Sequence, residues 1–291
     1  MNSIHEIRKY MWYNAVVPVG KDKTVACDHG TFTFSASVDC PLSRSLYVYH
    51  EFGYEYLEAA LEFSRHYTGR PAGTGTMLDI GGNIGTSCIQ ALCAGLIGKA
   101  VAVEPDRDCY GYLLRNIRQN NLTDRVFTLN MAVSAEKTTV TMKRNNANKA
   151  NSKVMRDDEP PADASGAECE YFSVQADTLD TILRSVPADY TDDLCVGWID
   201  VEGHEARLFS GGKETFAKDI PIISEVCPSL MLEGGIDLDF YAEICKELWT
   251  YFWIYRQGTF QKQSIANLND YLAWLHRNET HEDIVLTKRD C

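Results

Sequence analysis

No stretch of this 291-residue sequence stays apolar for long enough to cross a bilayer, so a helical membrane span is not expected. Its opening residues, Met1 to Tyr13, lack the basic-then-apolar layout of a secretory leader, and a cytoplasmic location is expected. Cys-x-x-Cys pairs and His/Cys clusters are also missing, although there are ten cysteines. That argues against zinc and disulfide frameworks. Cys88, Cys93, Cys195 and Cys227 sit in apolar segments and read as buried, reduced thiols. In such a compartment the Asn-x-Thr triplets at Asn121 and Asn278 are coincidental. Basic residues are in deficit: 28 Lys and Arg stand against 41 Asp and Glu, a formal charge of −13. A long polyanion would meet a repulsive average field, which makes nucleic acid an unfavourable partner. No internal repeat occurs.

What is present is a chain that is 45% hydrophobic and 24% charged, enough apolar residue to bury a large core. Residues 1 to 75 read as an extension to a main domain over 76–291. Within the extension Thr31–Val38 alternates like an edge strand or hairpin, and Tyr54–His66 is an amphipathic helix. The stretch from Gly69 to Gly75 is a linker. Strands are then expected at Met77–Ile80, Ala100–Glu104, Arg125–Val133, Leu194–Asp200 and Ile220–Val226. Helices are expected at Ile84–Leu96, Arg107–Asn121 and His204–Lys218, with a further helix at Phe240–Trp249 and closing strands at Thr250–Tyr255 and Ile284–Thr287. Such alternation argues for an α/β fold with a mostly parallel sheet covered on both faces. Thr138–Lys143 and Cys169–Val174 can pair as a hairpin across a polar excursion from Asn145 to Gly166, a solvated loop or a lid. Trp249–Trp253, with Tyr255, reads as core filling in a closing strand.

Polar residues close the apolar strands. Asp79, Glu104, Asp200 and Glu225 each end one, and Asn130 stands near the end of another. In an open parallel sheet ligands bind beyond those ends. The first turn, Asp79-Ile-Gly-Gly-Asn-Ile-Gly85, lacks Gly-x-Gly-x-x-Gly spacing, so the NAD fingerprint fails. An acid before a glycine turn instead suits a ligand head with an ammonium and a carboxylate: the acid holds the ammonium, and the N–H groups of the turn take the carboxylate. Glu104 in Val101-Ala-Val-Glu-Pro105 is placed to accept both hydroxyls of a ribose.

These residues resemble the FkbM family of S-adenosylmethionine-dependent methyltransferases, in the class I Rossmann-like group. The resemblance runs from about residue 76 to 227. It is carried by Leu78-Asp-Ile-Gly-Gly-Asn-Ile-Gly85, Val103-Glu-Pro105, Asn116, Asn130-Met-Ala-Val-Ser134, Thr178-Leu-Asp180, Ile199-Asp-Val-Glu-Gly-His-Glu205 and Pro221-Ile-Ile-Ser-Glu225. It implies a Rossmann-like doubly wound sheet and S-adenosylmethionine as cofactor, with S-adenosylhomocysteine as product. Cofactor-binding residues would be Asp79, Gly81, Asn83, Gly85, Glu104, Pro105, Asn130 and Asp200, with Tyr54 and Glu55 at a capping position. Acceptors would be hydroxyls of sugars, glycolipids or polyketides. The chain departs from the family pattern at Gly82, where Ala is usual, and at Trp198, where Lys is usual.

Transfer of an activated methyl to an alcohol needs alignment and a base. Asp200, Glu202, His204 and Glu225 are the expected catalytic residues. Either Asp200 or His204 takes the proton while the other orients it, and Glu202 and Glu225 hold the acceptor; Glu205 reads as a first-turn acid favoured by its helix dipole. The four catalytic candidates could also hold Mg²⁺ or Mn²⁺. Their clustering does not require a divalent metal, and none is predicted. A ribose 2′-O-methyltransferase, an NAD-dependent oxidoreductase and a non-catalytic cofactor-binding protein are the alternative readings.

Overall fold

A computed structural model of the chain describes residues 4–19, 21–36, 40–145, 152–156 and 169–291. Most of the polar excursion between Asn145 and Gly166 therefore lies outside the described residues. The chain opens with α1 (Ile4–Met11), two irregular helical turns, the hairpin β1 (Asp22–Cys27) and β2 (Gly30–Ser35), α2 (Pro41–Tyr49) and α3 (Tyr54–Thr68). Next come β3 (Thr76–Ile80), α4 (Thr86–Cys93), β4 (Lys99–Val103), α5 (Arg107–Gln119) and β5 (Val126–Leu129). Four short strands follow: β6 (Ala132–Val133), β7 (Thr138–Asn145), β8 (Ser152–Val154) and β9 (Cys169–Asp177). After α6 (Leu179–Arg184) and α7 (Ala188–Thr191) the chain forms β10 (Leu194–Ile199), α8 (Glu205–Ser210), α9 (Lys213–Phe216) and β11 (Ile222–Val226). It closes with α10 (Pro228–Glu233), α11 (Leu238–Leu248), β12 (Tyr251–Arg256), β13 (Thr259–Ser264), α12 (Leu268–Arg277) and β14 (Glu282–Thr287).

Eight strands form the central sheet in the order β13-β12-β14-β11-β10-β3-β4-β5. From β11 to β5 all pairings are parallel, whereas β14 enters antiparallel between β11 and β12. The chain lays down β3, builds outward through β4 and β5, then returns to the other side of β3 for β10 and β11. Strand order therefore reverses between β3 and β10, which places a crevice at their carboxyl ends.

Alternation along each strand decides which core each residue joins. Leu78 and Ile80 of β3 pack with Leu208 and Phe209 of α8, Tyr241 of α11 and Leu272 of α12. Met77, together with Ala100 and Ala102 of β4, joins a second core on the other face. That core takes in Trp12, Phe32, Phe34, Leu46 and Leu57 from the first 75 residues. Asn116 of α5 ties the hairpin down: it accepts from Thr33 N at 2.7 Å and donates to the carbonyls of Thr33 at 3.1 Å and Ile84 at 2.8 Å.

Several expected boundaries shift. The strand expected at Arg125–Val133 breaks at Asn130, and its two halves join different sheets. The helix expected at His204–Lys218 breaks at Gly211-Gly212, where a side chain on Gly211 would lie 2.1 Å from the Ser134 carbonyl. The expected hairpin forms as β7 and β9, paired from Thr138↔Ala176 to Asn145↔Cys169. With β6 and β8 it makes a separate small sheet. All ten cysteines are free; Cys88 and Cys195 are buried as expected, but Cys93 is exposed and Cys227 only half-buried. Trp249, Phe252 and Trp253 fill core positions.

Candidate functional site

Two clefts open at the switch point, on either side of the glycine turn. One runs over β4 and beneath the small sheet. Its walls are Val103 from the central sheet, Met131 from the bend after β5, and Val133, Met142, Ser152 and Val154 from the small sheet. The other, which is larger, runs under α2 and α3 and reaches Trp198, Glu225, His281 and Asp283. Gly81, Asn83, Asp200 and Glu202 line both, so the two clefts meet at the ends of β3 and β10.

Close backbone approach makes that meeting possible. Gly81 adopts a φ of +85°, and a Cβ there would stand 1.7 Å from the Asp200 carbonyl. Glycine's missing side chain lets the two strand ends lie against each other. Gly85 also has positive φ, and a Cβ would press on Ile89 and Leu113.

The N–H groups of the turn are used differently from the expectation. Gly81 N and Gly82 N donate to the Val103 carbonyl at 2.9 and 3.1 Å, Gly85 N donates to Gly82, and Asn83 N donates to Glu104 Oε2 at 2.7 Å. These four groups are engaged inside the protein and cannot also cradle a carboxylate. A buried donor is satisfied once, and here the neighbouring strand has taken it. Thr86 and Ser87, at the start of α4, line the larger groove instead.

Glu104 sits buried in the smaller cleft and accepts a second main-chain N–H, from Asp106, at 2.7 Å. Burial pushes its carboxyl up to about 8, against the pull of those two N–H groups. Pro105 lines the cleft beside it. Asn130 does not line either cleft; its amide donates to the carbonyls of Glu104 at 2.8 Å and Pro105 at 3.1 Å and so holds the turn that carries them. Asp79 is buried beside Gly82, with one carboxylate oxygen lacking a hydrogen-bond partner. Burial raises it to about 6, while hydrogen bonds from Cys88 lower it.

Beyond β10 the turn carries three of the expected catalytic residues. Asp200 opens to the groove, yet desolvation by the surrounding protein raises it to about 6, with His281 pulling the other way. Glu202, in the left-handed region at φ 53°, is raised to about 8 by burial and by Asp200. Glu225 is raised further, by burial and then by Asp200 and Glu202. Asp283 of β14, opposite Glu225 in the sheet, is raised to about 7 by burial and Asp200. His204 lies on the smaller cleft, buried, with Nε2 3.1 Å from Ser134 Oγ. Burial, and then Arg207, push it down to about 4, so it is neutral at physiological pH. Glu205 is buried, and its carboxylate accepts from Val201 N and Gly203 N, holding the turn in place.

Tyr54 and Glu55 stand outside both clefts. Tyr54 stacks on His29 with centroids 3.7 Å apart, and its hydroxyl donates to Glu58. Two residues along α3, and so on another face of the helix, Tyr56 does line the groove, edge-on to Trp198 at 5.9 Å. Asp180 caps α9 by accepting from Thr215 N and Glu214 N. Met142, Ser152, Val154, His281 and Asp283 were not found by the sequence reading. Each lies on a strand or loop without a strand-end signature, and only tertiary folding brings it to the crevice. Among the described residues no group of three or more His, Cys, Asp or Glu is arranged to hold a metal ion.

The Methyltransferase FkbM domain matches residues 79–273 of the sequence, well over half of the chain. Solved structures to which the chain is similar include the methyltransferase FkbM of Methylobacillus flagellatus KT, at 13% identity and a TM-score of 0.42. That likeness covers 84% of this chain and 54% of the other, so the chain spans about half the length of that relative. Precorrin-6y C5,15-methyltransferase from Geobacter metallireducens GS-15 is 11% identical at a TM-score of 0.39, over 79% of this chain and 87% of that one. Geranyl diphosphate C-methyltransferase from Streptomyces coelicolor A3(2), solved with Mg²⁺, geranyl diphosphate and S-adenosyl-L-homocysteine, is 10% identical at 0.40, over 99% of both chains. No curated protein matches. The domain match, on a sheet of this strand order with the glycine turn at its switch point, shows that the chain belongs to the FkbM methyltransferase domain family.

Proposed function

We propose that the protein is an S-adenosylmethionine-dependent O-methyltransferase acting on a hydroxyl of a small polar acceptor such as a sugar, glycolipid or polyketide. The observation that carries this reading is the pair of clefts meeting at Gly81 and Asp200. The smaller one suits a nucleoside: apolar walls accept a purine, and Glu104, held by two main-chain N–H groups, is aimed to take ribose hydroxyls. The unpartnered oxygen of Asp79 supports a place for an ammonium near Gly82, and Thr86 and Ser87 are placed for the carboxylate. When bound, the cofactor supplies a methyl group already activated on a sulfonium.

The chain's own residues align the acceptor and remove its proton. Asp200 is the base on this reading. It stands where the clefts meet, and its carboxyl, raised to about 6, is ionised at neutral pH yet basic enough to accept a proton. Glu202 and Glu225 face the groove and hold the acceptor by hydrogen bonds. His204 is a positioning residue: bonded to Ser134 on the far side of the turn, it braces the loop that presents Asp200. Among the described residues no Lys or Arg lines the groove to take up a phosphate, which disfavours the ribose-methylating alternative.

The test uses labelled S-adenosylmethionine with a panel of sugars, glycolipids, polyketide alcohols and capped RNA. Asp200→Asn is expected to lower kcat by about 10²–10⁴ while S-adenosylhomocysteine binds as before. With the wild-type protein, kcat should fall as pH drops through about 6, because the base is then protonated. An Asp200→Asn variant with unchanged turnover, or methylation of RNA alone, would sink the reading.

A further inference from the structure

We propose that the larger groove is a cation site, which seats an ammonium group carried by the methyl acceptor between the ring of Trp198 and the carboxyls of Glu225 and Asp283. This inference rests on the reading above, that the groove is the acceptor side of the site. It narrows the acceptor to a hydroxyl compound that also bears an amine, such as an amino sugar or an amino alcohol.

The groove's wall carries four carboxyl groups, those of Asp200, Glu202, Glu225 and Asp283. Among the described residues no Lys or Arg lines it. His281 is the basic side chain in reach, 3.8 Å from Glu225, and it is mostly exposed. Lys153 acts on Glu202 from the side of the small sheet, but its ammonium is paired with Glu233. Like charges confined together destabilise one another: burial pushes Glu202, Glu225 and Asp283 toward the neutral form, and the charge of Asp200 adds to it at all three. A bound cation reverses that penalty, and a neutral polyol does not.

Aromatic faces complete the pattern. Trp198 and Tyr56 both line the groove, with ring planes inclined at 65°. Tyr255 and Phe260 close the cluster behind Tyr56, at 5.6 and 6.2 Å. The Tyr56 hydroxyl is buried with no hydrogen-bond partner; burial and then the charges of Asp283 and Glu282 raise its pKa. Ring faces beside carboxylates are the chemistry that recognises alkylammonium groups, because quadrupole and charge attract the cation together. On the reading above the cofactor's own ammonium is assigned to the unpartnered oxygen of Asp79 beside Gly82, and Asp79 does not line this groove.

Calorimetry on the full chain tests the inference. The protein is first saturated with S-adenosylhomocysteine and then titrated separately with glucose, N-acetylglucosamine, glucosamine and choline. Glucosamine or choline should bind at least tenfold more tightly than either neutral sugar. Trp198→Lys, which places a cation in the groove, should abolish that preference, and Asp283→Asn should weaken it at least threefold. Trp198→Phe, which keeps a ring face, should retain most of it, and all three variants should bind S-adenosylhomocysteine normally. Equal binding of neutral and cationic probes, no binding of either cationic probe, or cation binding only without S-adenosylhomocysteine overturns the proposal. Heat from S-adenosylhomocysteine without cation preference removes this inference alone. No heat from S-adenosylhomocysteine removes the cofactor reading with it.

Discussion

Gly81 stands where two strand ends touch, and its φ of +85° together with the Asp200 carbonyl leaves no room for a side chain. Gly81→Ala combines left-handed strain with a direct backbone clash, so it should lower folding stability by about 3 kcal/mol. Because the clefts join at this residue, S-adenosylhomocysteine binding should fall at least tenfold. Denaturant unfolding and calorimetry check the two effects; a variant that folds and binds normally would show that the strand ends do not press together. Asp79, Glu104, Asp200 and Glu225 were legible in the sequence because each ends an apolar run. The use of the turn's N–H groups was not. Val103 and Glu104 accept them, and those partners belong to another strand. Nor could local sequence show that burial, with Arg207 nearby, makes the His204 imidazole a weak base.

The small sheet covers the smaller cleft; Val133 of β6 joins the main core, and Arg144 of β7 supplies a buried ion pair. On β7 the buried positions are Val140, Met142 and Arg144, one face of a strand. Arg144 donates to buried Asp106 at 2.8 Å and pairs with Asp108, pinning β7 to the start of α5, while its pair with Glu170 ties β7 to β9 within the small sheet. Removing one partner of a buried pair leaves an uncompensated charge. Arg144→Ala should therefore lower stability by about 3–5 kcal/mol, read by denaturant unfolding. It should also weaken S-adenosylhomocysteine binding at least tenfold, since Met142 loses its anchor; unchanged affinity would show that the sheet is not a wall of the site. The hairpin of β7 and β9 was readable from alternation on both sides of a polar stretch. Its docking was not, because Arg144 reads locally as one more charged strand residue. The break at Asn130 was hidden for the same reason: an apolar run looks continuous until its halves are drawn into different sheets.

At the scale of the whole molecule, acidity is concentrated where the clefts meet. Burial raises Glu104 and Glu202 to about 8 and Glu205 and Asp283 to about 7, and Glu225 is raised as well. A carboxyl whose folded value exceeds its unfolded one holds its proton more tightly when folded. Its stabilisation is complete below the ordinary carboxylate range and is lost as pH climbs through the raised value. His204, pushed down to about 4, works in the opposite sense, but only below its ordinary 6.5. Between pH 6.5 and 8 the carboxyls dominate, so Tm of the ligand-free protein should be higher at pH 6.5 than at pH 8. Glu225→Gln should flatten that slope. A Tm that rises from pH 6.5 to 8 would contradict the crowding. The sequence by itself determined the strand–helix alternation, the glycine turn and the acids at the strand ends, because these follow from local periodicity and from residues that must stand where strands stop. Only the tertiary structure decided that two clefts meet at Gly81 and Asp200 and that Asp283 and Trp198 share a wall with Glu225. The same holds for the first 75 residues, which share a core with one face of the sheet. Those relations join residues far apart in the chain, and they arise when the buried faces of the sheet choose what covers them.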